Sequence, residues 1–194
     1  MIDTTRFRVV GLAAVLALAA MPVARGADPA ASPPASPSSG PGTASHDPAA
    51  QAAGLFMQSC VRFAAQPAAL RSWVASKNLA RLPAPYANDF LYGLPGRVYD
   101  ATTPAGKLVL VSQDGGSCSV VAENAQGKAL LDRLDADLKS AGIAYKITAD
   151  GPDPLEKDLR NRAYDAAAGD RKWLMLVSTV SDPAGGEAML TTNP

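Results

Sequence analysis

Residues 107–142 read KLVLVSQDGGSCSVVAENAQGKALLDRLDADLKSAG, and within them the apolar period changes once, from strand to helix. Lys107–Gln113 is a nearly continuous apolar run, and Asp114-Gly115-Gly116 supplies the positive φ that a tight hairpin turn requires. Ser117–Glu123 then returns with Cys118, Val120 and Ala122 on one face, because strand side chains alternate. Asn124 reads as a cap and Gly142 as a terminator. Between them Leu130, Leu131, Leu134, Leu138 and Ala141 recur at helical spacing. A hairpin followed by an amphipathic helix predicts a helix lying on a sheet. The opposite helix face pairs Lys128 with Asp132, Arg133 with Asp137 and Asp135 with Lys139. It reads as a solvated charge ladder, each pair worth ~0.2–0.5 kcal/mol.

Downstream, strands are expected over 144–149, 159–166, 172–181 and 187–192, with turns at Gly169-Asp170 and Ala184-Gly185-Gly186. Trp173, Met175 and Val177 share one face of the longest strand, and Leu174, Leu176 and Val180 the other. A strand apolar on both faces is expected inside a sheet covered on both sides. Upstream, Arg97–Thr102 alternates and Thr103-Pro104-Ala105-Gly106 is a turn. The fold class is therefore α+β: a mostly antiparallel sheet of about seven strands with helices packed on it.

Order begins at Asp47-Pro48, a cap residue followed by proline at the first helical position. Ala52, Phe56, Cys60 and Phe63 draw one stripe along the first helix. Gln66-Pro67 starts a second carrying Leu70, Trp73 and Val74, for which Asn78 is a left-handed terminus. Residues 79–96, LARLPAPYANDFLYGLPG, break every period yet are too apolar for a solvated loop. They read as a packed irregular segment with a helical turn at 86–92. Its aromatics Tyr86, Phe90 and Tyr92 either close a core or line a binding groove.

The N-terminus carries an address. Arg6 and Arg8 precede the apolar run Val9–Val23, and Ala24-Arg25-Gly26 places small residues before a cleavage site at Ala27. That order is the grammar of a secretory signal peptide, residues 1–26. The run is shorter than the ~20 residues that span a bilayer, so stable membrane insertion after cleavage is not expected. Residues 27–46, rich in Pro, Ser, Ala and Gly, read as a disordered tether ahead of one domain over 47–194. The two cysteines, Cys60 and Cys118, are expected to pair in an oxidising compartment. Ala27 stands where a lipoprotein would carry its cysteine, so a soluble periplasmic or secreted protein is expected.

Eighteen Lys+Arg balance eighteen Asp+Glu, which leaves no footprint for nucleic acid. The single histidine, His46, falls in the tether, away from any nucleophile or metal-ligand set. No Walker, H-E-x-x-H or G-x-S-x-G pattern occurs, C-x-x-C is absent, and no cofactor or metal is expected. Glycoside hydrolysis needs two converging carboxylates, for which Glu123, Asp150, Asp153, Glu156, Asp158 and Asp165 are candidates. Arg160 and Arg162 share a strand face with Tyr164, near Lys157, Arg171 and Lys172. That face either binds carboxylates of a partner or protects an edge strand by charge.

The order Phe56-x3-Cys60, Leu82-Pro83, Gly96 and Gly116-Ser117-Cys118-x-Val120 resembles a group of small exported proteobacterial proteins and lipoproteins with no assigned activity. The resemblance spans about residues 53–125 and implies a shared disulfide fold and no chemistry. The functional expectation is a non-enzymatic binding module that meets an envelope protein or envelope component. Its candidate contacts are Tyr86, Phe90, Tyr92, Arg160, Arg162 and Tyr164. The alternative is a small carboxylate-dependent hydrolase.

Overall fold

The computed structural model describes residues 47–180 and 186–194. The expected signal peptide, tether, His46 and the Ala184-Gly185 turn lie outside these residues. Among the described residues no helix is long and apolar enough to cross a membrane.

The chain is α+β. Helix α1 spans Pro48–Phe56 and runs into a π-helical turn, Met57–Val61. Helix α2 (Pro67–Ser76), strand β1 (Ala80–Arg81) and helix α3 (Ala84–Leu91) follow. Then come β2 (Gly96–Asp100), β3 (Leu108–Gln113), β4 (Cys118–Glu123), α4 (Gly127–Ser140), β5 (Ala144–Pro152), β6 (Leu159–Ala168), β7 (Arg171–Val180) and β8 (Glu187–Asn193). All strands join one antiparallel sheet in the order β1-β2-β3-β4-β8-β7-β6-β5. The sheet has eight strands rather than seven. The extra one is the two-residue β1, too short to show a period, inside the segment expected to be irregular. That segment also holds α3, a full eight-residue helix in place of a single turn.

The helix starts follow local chemistry. The Asp47 carboxylate accepts the Ala49 N–H at 3.0 Å, and Pro48 gives up no needed donor at the first position. Asn78 adopts positive φ at the end of α2, as its type favours. Asn124 does not cap α4. It turns left-handed at φ 61°, and the cap passes to Gln126. That late start lets Gly127 pass Thr179, whose Oγ1 would lie 2.9 Å from a Cβ there.

Alternation divides the sheet into two faces. One is the main core, where Leu108, Leu110, Cys118, Val120, Ala122, Tyr164, Trp173, Met175, Val177, Ala188 and Leu190 pack under α1, α2 and α4. Cys60 and Cys118 are disulfide-bonded with Cα atoms 5.2 Å apart, which pins the π-helical turn to β4. Because of that turn the α1 stripe ends at Cys60. Phe63 lies beyond it and packs on Trp73 at 6.1 Å between ring centroids. Ala141, expected on the buried stripe of α4, is exposed just past its end.

Among the described residues the second face is covered only at one side. There α3 lays Ala87 and Leu91 on Val98 and Val111, forming a small separate core. Gly96 makes this contact possible, since a Cβ would lie 2.7 Å from the Leu91 side chain. Strand β7 lies inside the sheet but is not covered on both faces. Its Leu174 is 54% exposed and Val180 is also exposed. A second apolar face predicts a covering layer only if some element is left to supply one, and the described helices lie elsewhere.

Candidate binding surface

Where α3 ends, the open sheet face becomes a trough of about 580 Å³. Its wall is Asp89, Phe90 and Tyr92. Its floor is crossed by residues of β3, β4, β8 and β7, with Leu159 at the far side. The floor mixes apolar groups with paired polar ones. Ser117 Oγ donates to Asn193 Oδ1 at 2.8 Å, and Ser119 and Thr191 share a 2.9 Å hydrogen bond across the β4–β8 ladder. Beyond, Ser178 Oγ donates to Asn161 Oδ1 at 2.7 Å, and Asn161 donates to Asp153 at 2.9 Å. Val121, Val180 and Met189 lie among these pairs.

Tyr92 is the most conspicuous residue of the trough. It ends α3 in the left-handed region, at φ 49°, and is 82% exposed. A bulky residue there costs about 1–2 kcal/mol that glycine would avoid, and such strain concentrates at functional positions. Tyr86 is also exposed, whereas Phe90 is half-buried against the small α3 core. Tyr86 and Tyr92 therefore do not close a core. That task falls to Leu91, Ala87 and Leu82, with Tyr99 buried in the main core instead.

The other candidate group lies on the opposite face. Arg160 and Arg162 reach Asp150 at 2.7 and 2.8 Å, and Arg162 also reaches Asp135 of α4 at 3.2 Å. Tyr164 is fully buried and donates to Asp135 at 3.1 Å. Burial, with Asp135 alongside, raises the Tyr164 phenol well above its ordinary value despite Arg162. At Asp150 partial burial works against ionisation, but the Arg162 hydrogen bond and the charges of both arginines outweigh it and lower the pKa. This is a network that ties α4 to β6 and β5. Strand β6 is not an edge strand, since β5 pairs along its outer side. Asp135 leaves the expected ladder with Lys139 for Arg162, while Lys128–Asp132 and Arg133–Asp137 form as expected.

Of the candidate hydrolytic carboxylates, Glu123, Asp150 and Asp153 are engaged in this way. Glu123 pairs with Lys107 at 3.0 Å. Asp153 accepts the backbone N–H groups of Leu155 and Glu156, which hold its pKa down. A general acid needs the opposite shift. Among the described residues no group of His, Cys, Asp and Glu side chains converges as a metal site.

The structure thus brings Phe90 and Tyr92 to one trough and places Arg160, Arg162 and Tyr164 across the sheet. The trough's polar floor escapes sequence reasoning because β4 and β8, which build it, are distant in the chain. The available signal is the second apolar face of β7. No protein-family model, curated protein or solved structure matches this chain.

Proposed function

We propose that this protein is an exported, non-enzymatic binding module that presents the trough beside α3 to a component of the cell envelope. The observation that carries this reading is Tyr92, held exposed in a costly backbone conformation beside a partly apolar sheet face that no described element covers. Exposed apolar surface rimmed by polar groups is the arrangement found at interaction sites and ligand-binding grooves. Export is supported by the Arg6/Arg8, Val9–Val23 and Ala24–Gly26 pattern. The Cys60–Cys118 bridge suits an oxidising compartment.

The test is affinity capture from an envelope extract with the mature protein, its N-terminus read by intact mass. Wild type is expected to begin at Ala27 and retain a component that Tyr92→Ala fails to retain, at unchanged melting temperature. Equal retention by both proteins overturns the reading.

A further inference from the structure

We infer that the trough is a carbohydrate site: it takes an uncharged, hydroxyl-rich glycan, with Tyr92 as the stacking platform. This rests on the reading of the trough as a docking surface and names its ligand class.

Charge sets the first limit. Among the described residues no lysine or arginine lines the trough, whereas Asp89 and Glu187 both do, and neither has an ion-pair or hydrogen-bond partner there. A phosphate, a carboxylate or a nucleic-acid backbone would meet two carboxylates and no compensating cation, which is unfavourable in a concave site. The ligand must be neutral or cationic.

The distribution of the polar groups chooses between those two. Asp89 stands on α3, while Glu187 begins β8 opposite Val180 and next to Glu123 of β4. They belong to separate elements, and among the described residues no three or more acidic side chains gather into one group, as they would to hold a basic peptide. The same trough is lined by Gln113, Ser117, Ser119, Ser178, Thr191 and Asn193, with Val121, Val180 and Met189 as its apolar part. Each hydroxyl or side-chain amide in the floor pairs keeps donor or acceptor capacity after its internal bond. Amides and carboxylates arranged around apolar patches match a sugar ring, which offers C–H faces and a rim of hydroxyls. Unpaired carboxylates accept such hydroxyl donors, and these charged acceptors form the stronger class of hydrogen bond. The volume, about 580 Å³, falls within the ~300–1,000 Å³ usual for ligand sites.

Tyr92 completes the site. Its exposed ring at the trough wall presents an apolar face without the entropy of a long flexible chain, as rigid aromatic anchors do in recognition surfaces.

The test uses isotope-labelled mature protein and three probes: a neutral cello-oligosaccharide, a neutral oligomer of N-acetylglucosamine and an arginine-rich peptide. At least one glycan is expected to shift the amides of Tyr92, Ser119, Thr191 and Asn193 saturably, at concentrations up to about 10 mM. Its affinity should barely change with salt, because no ion pair forms. Tyr92→Ala and Asn193→Ala are each expected to weaken it about tenfold or more, and Glu187→Gln by less, since an amide still accepts. No saturable shift with either glycan, or shifts elsewhere on the surface, overturns the assignment. Salt-sensitive binding of the peptide at the same amides would overturn it too, while leaving the docking reading intact. Absence of all three, together with envelope capture indifferent to Tyr92→Ala, would remove both.

Discussion

Tyr92 and Leu91 are neighbours that do opposite work. Leu91, on the buried face of α3, holds the helix to Val98 and Val111, while Tyr92 turns outward at φ 49°. Nothing in the fold requires a tyrosine there, and glycine fits a left-handed helix terminus better. Tyr92→Gly is therefore expected to raise stability by up to about 1 kcal/mol while weakening glycan binding about tenfold or more. Chemical denaturation and the glycan titration, run on the same sample, check both halves. A loss of stability on this substitution would show that Tyr92 serves the fold. The sequence shows that residues 79–96 are apolar and aromatic. Which aromatic faces inward depends on the rotation of α3 about its axis, and Pro83, Pro85 and Pro95 obscure the period that would reveal it.

Helix α4 shows how an element's pattern can be read correctly and still mislead at one position. Its leucine stripe, Leu130, Leu131, Leu134 and Leu138, is buried as the spacing predicts. Asp135 looks like one more rung of an exposed ladder, because the i,i+4 rule sees only the helix itself. Arg162 and Tyr164 come to it from β6, and no local spacing records that approach. The consequence is measurable. Asp135→Ala is expected to destabilise by about 1–3 kcal/mol, since it strips a partly buried arginine and a buried phenol of a shared acceptor. Asp132→Ala, at an exposed pair on the same helix, should change stability by no more than ~0.5 kcal/mol. The same network sets two pH limits. The lowered folded pKa of Asp150 means that its contribution is complete above its unfolded value, and is lost as pH falls through the folded one. Tyr164 acts at the other end. Its phenol is held protonated in the fold, so stability falls as pH rises past the unfolded tyrosine value and the unfolded chain alone ionises. Unfolding free energy measured against pH should fall away at both ends, and Asp150→Asn should lessen the slope of the acid limb only, since Asp153 also contributes there.

For the whole molecule, two antiparallel meanders, β1–β4 and β5–β8, are joined by one long-range pairing, β4 with β8. Each hairpin is legible locally, as at Asp114-Gly115-Gly116. The junction that opposes Cys118 to Thr192 is not, because register between distant strands is fixed by packing rather than turn chemistry. That junction carries the centre of the main core. Val120, Leu190 and Val177 are buried side by side on consecutive strands, with the Cys60–Cys118 bridge fastening the π-helical turn above them. The α3 end is different in kind. Its core comprises only Ala87, Leu91, Val98 and Val111, with partial cover from Leu82, Phe90 and Val109. So few buried groups cannot match the cooperative stability of the main core, and local opening is drawn from such low-stability regions. Amide exchange followed across sub-denaturing urea should therefore separate two classes. The protected amides of β4, β8 and β7 are expected to exchange only by global unfolding, with a free energy that falls steeply with urea. Those of α3 and β1 should exchange through a smaller opening with a shallow urea dependence. Equal exchange free energies at Leu91 and Leu190 would mean that α3 is part of the same cooperative unit, and that the wall of the trough is as rigid as its floor.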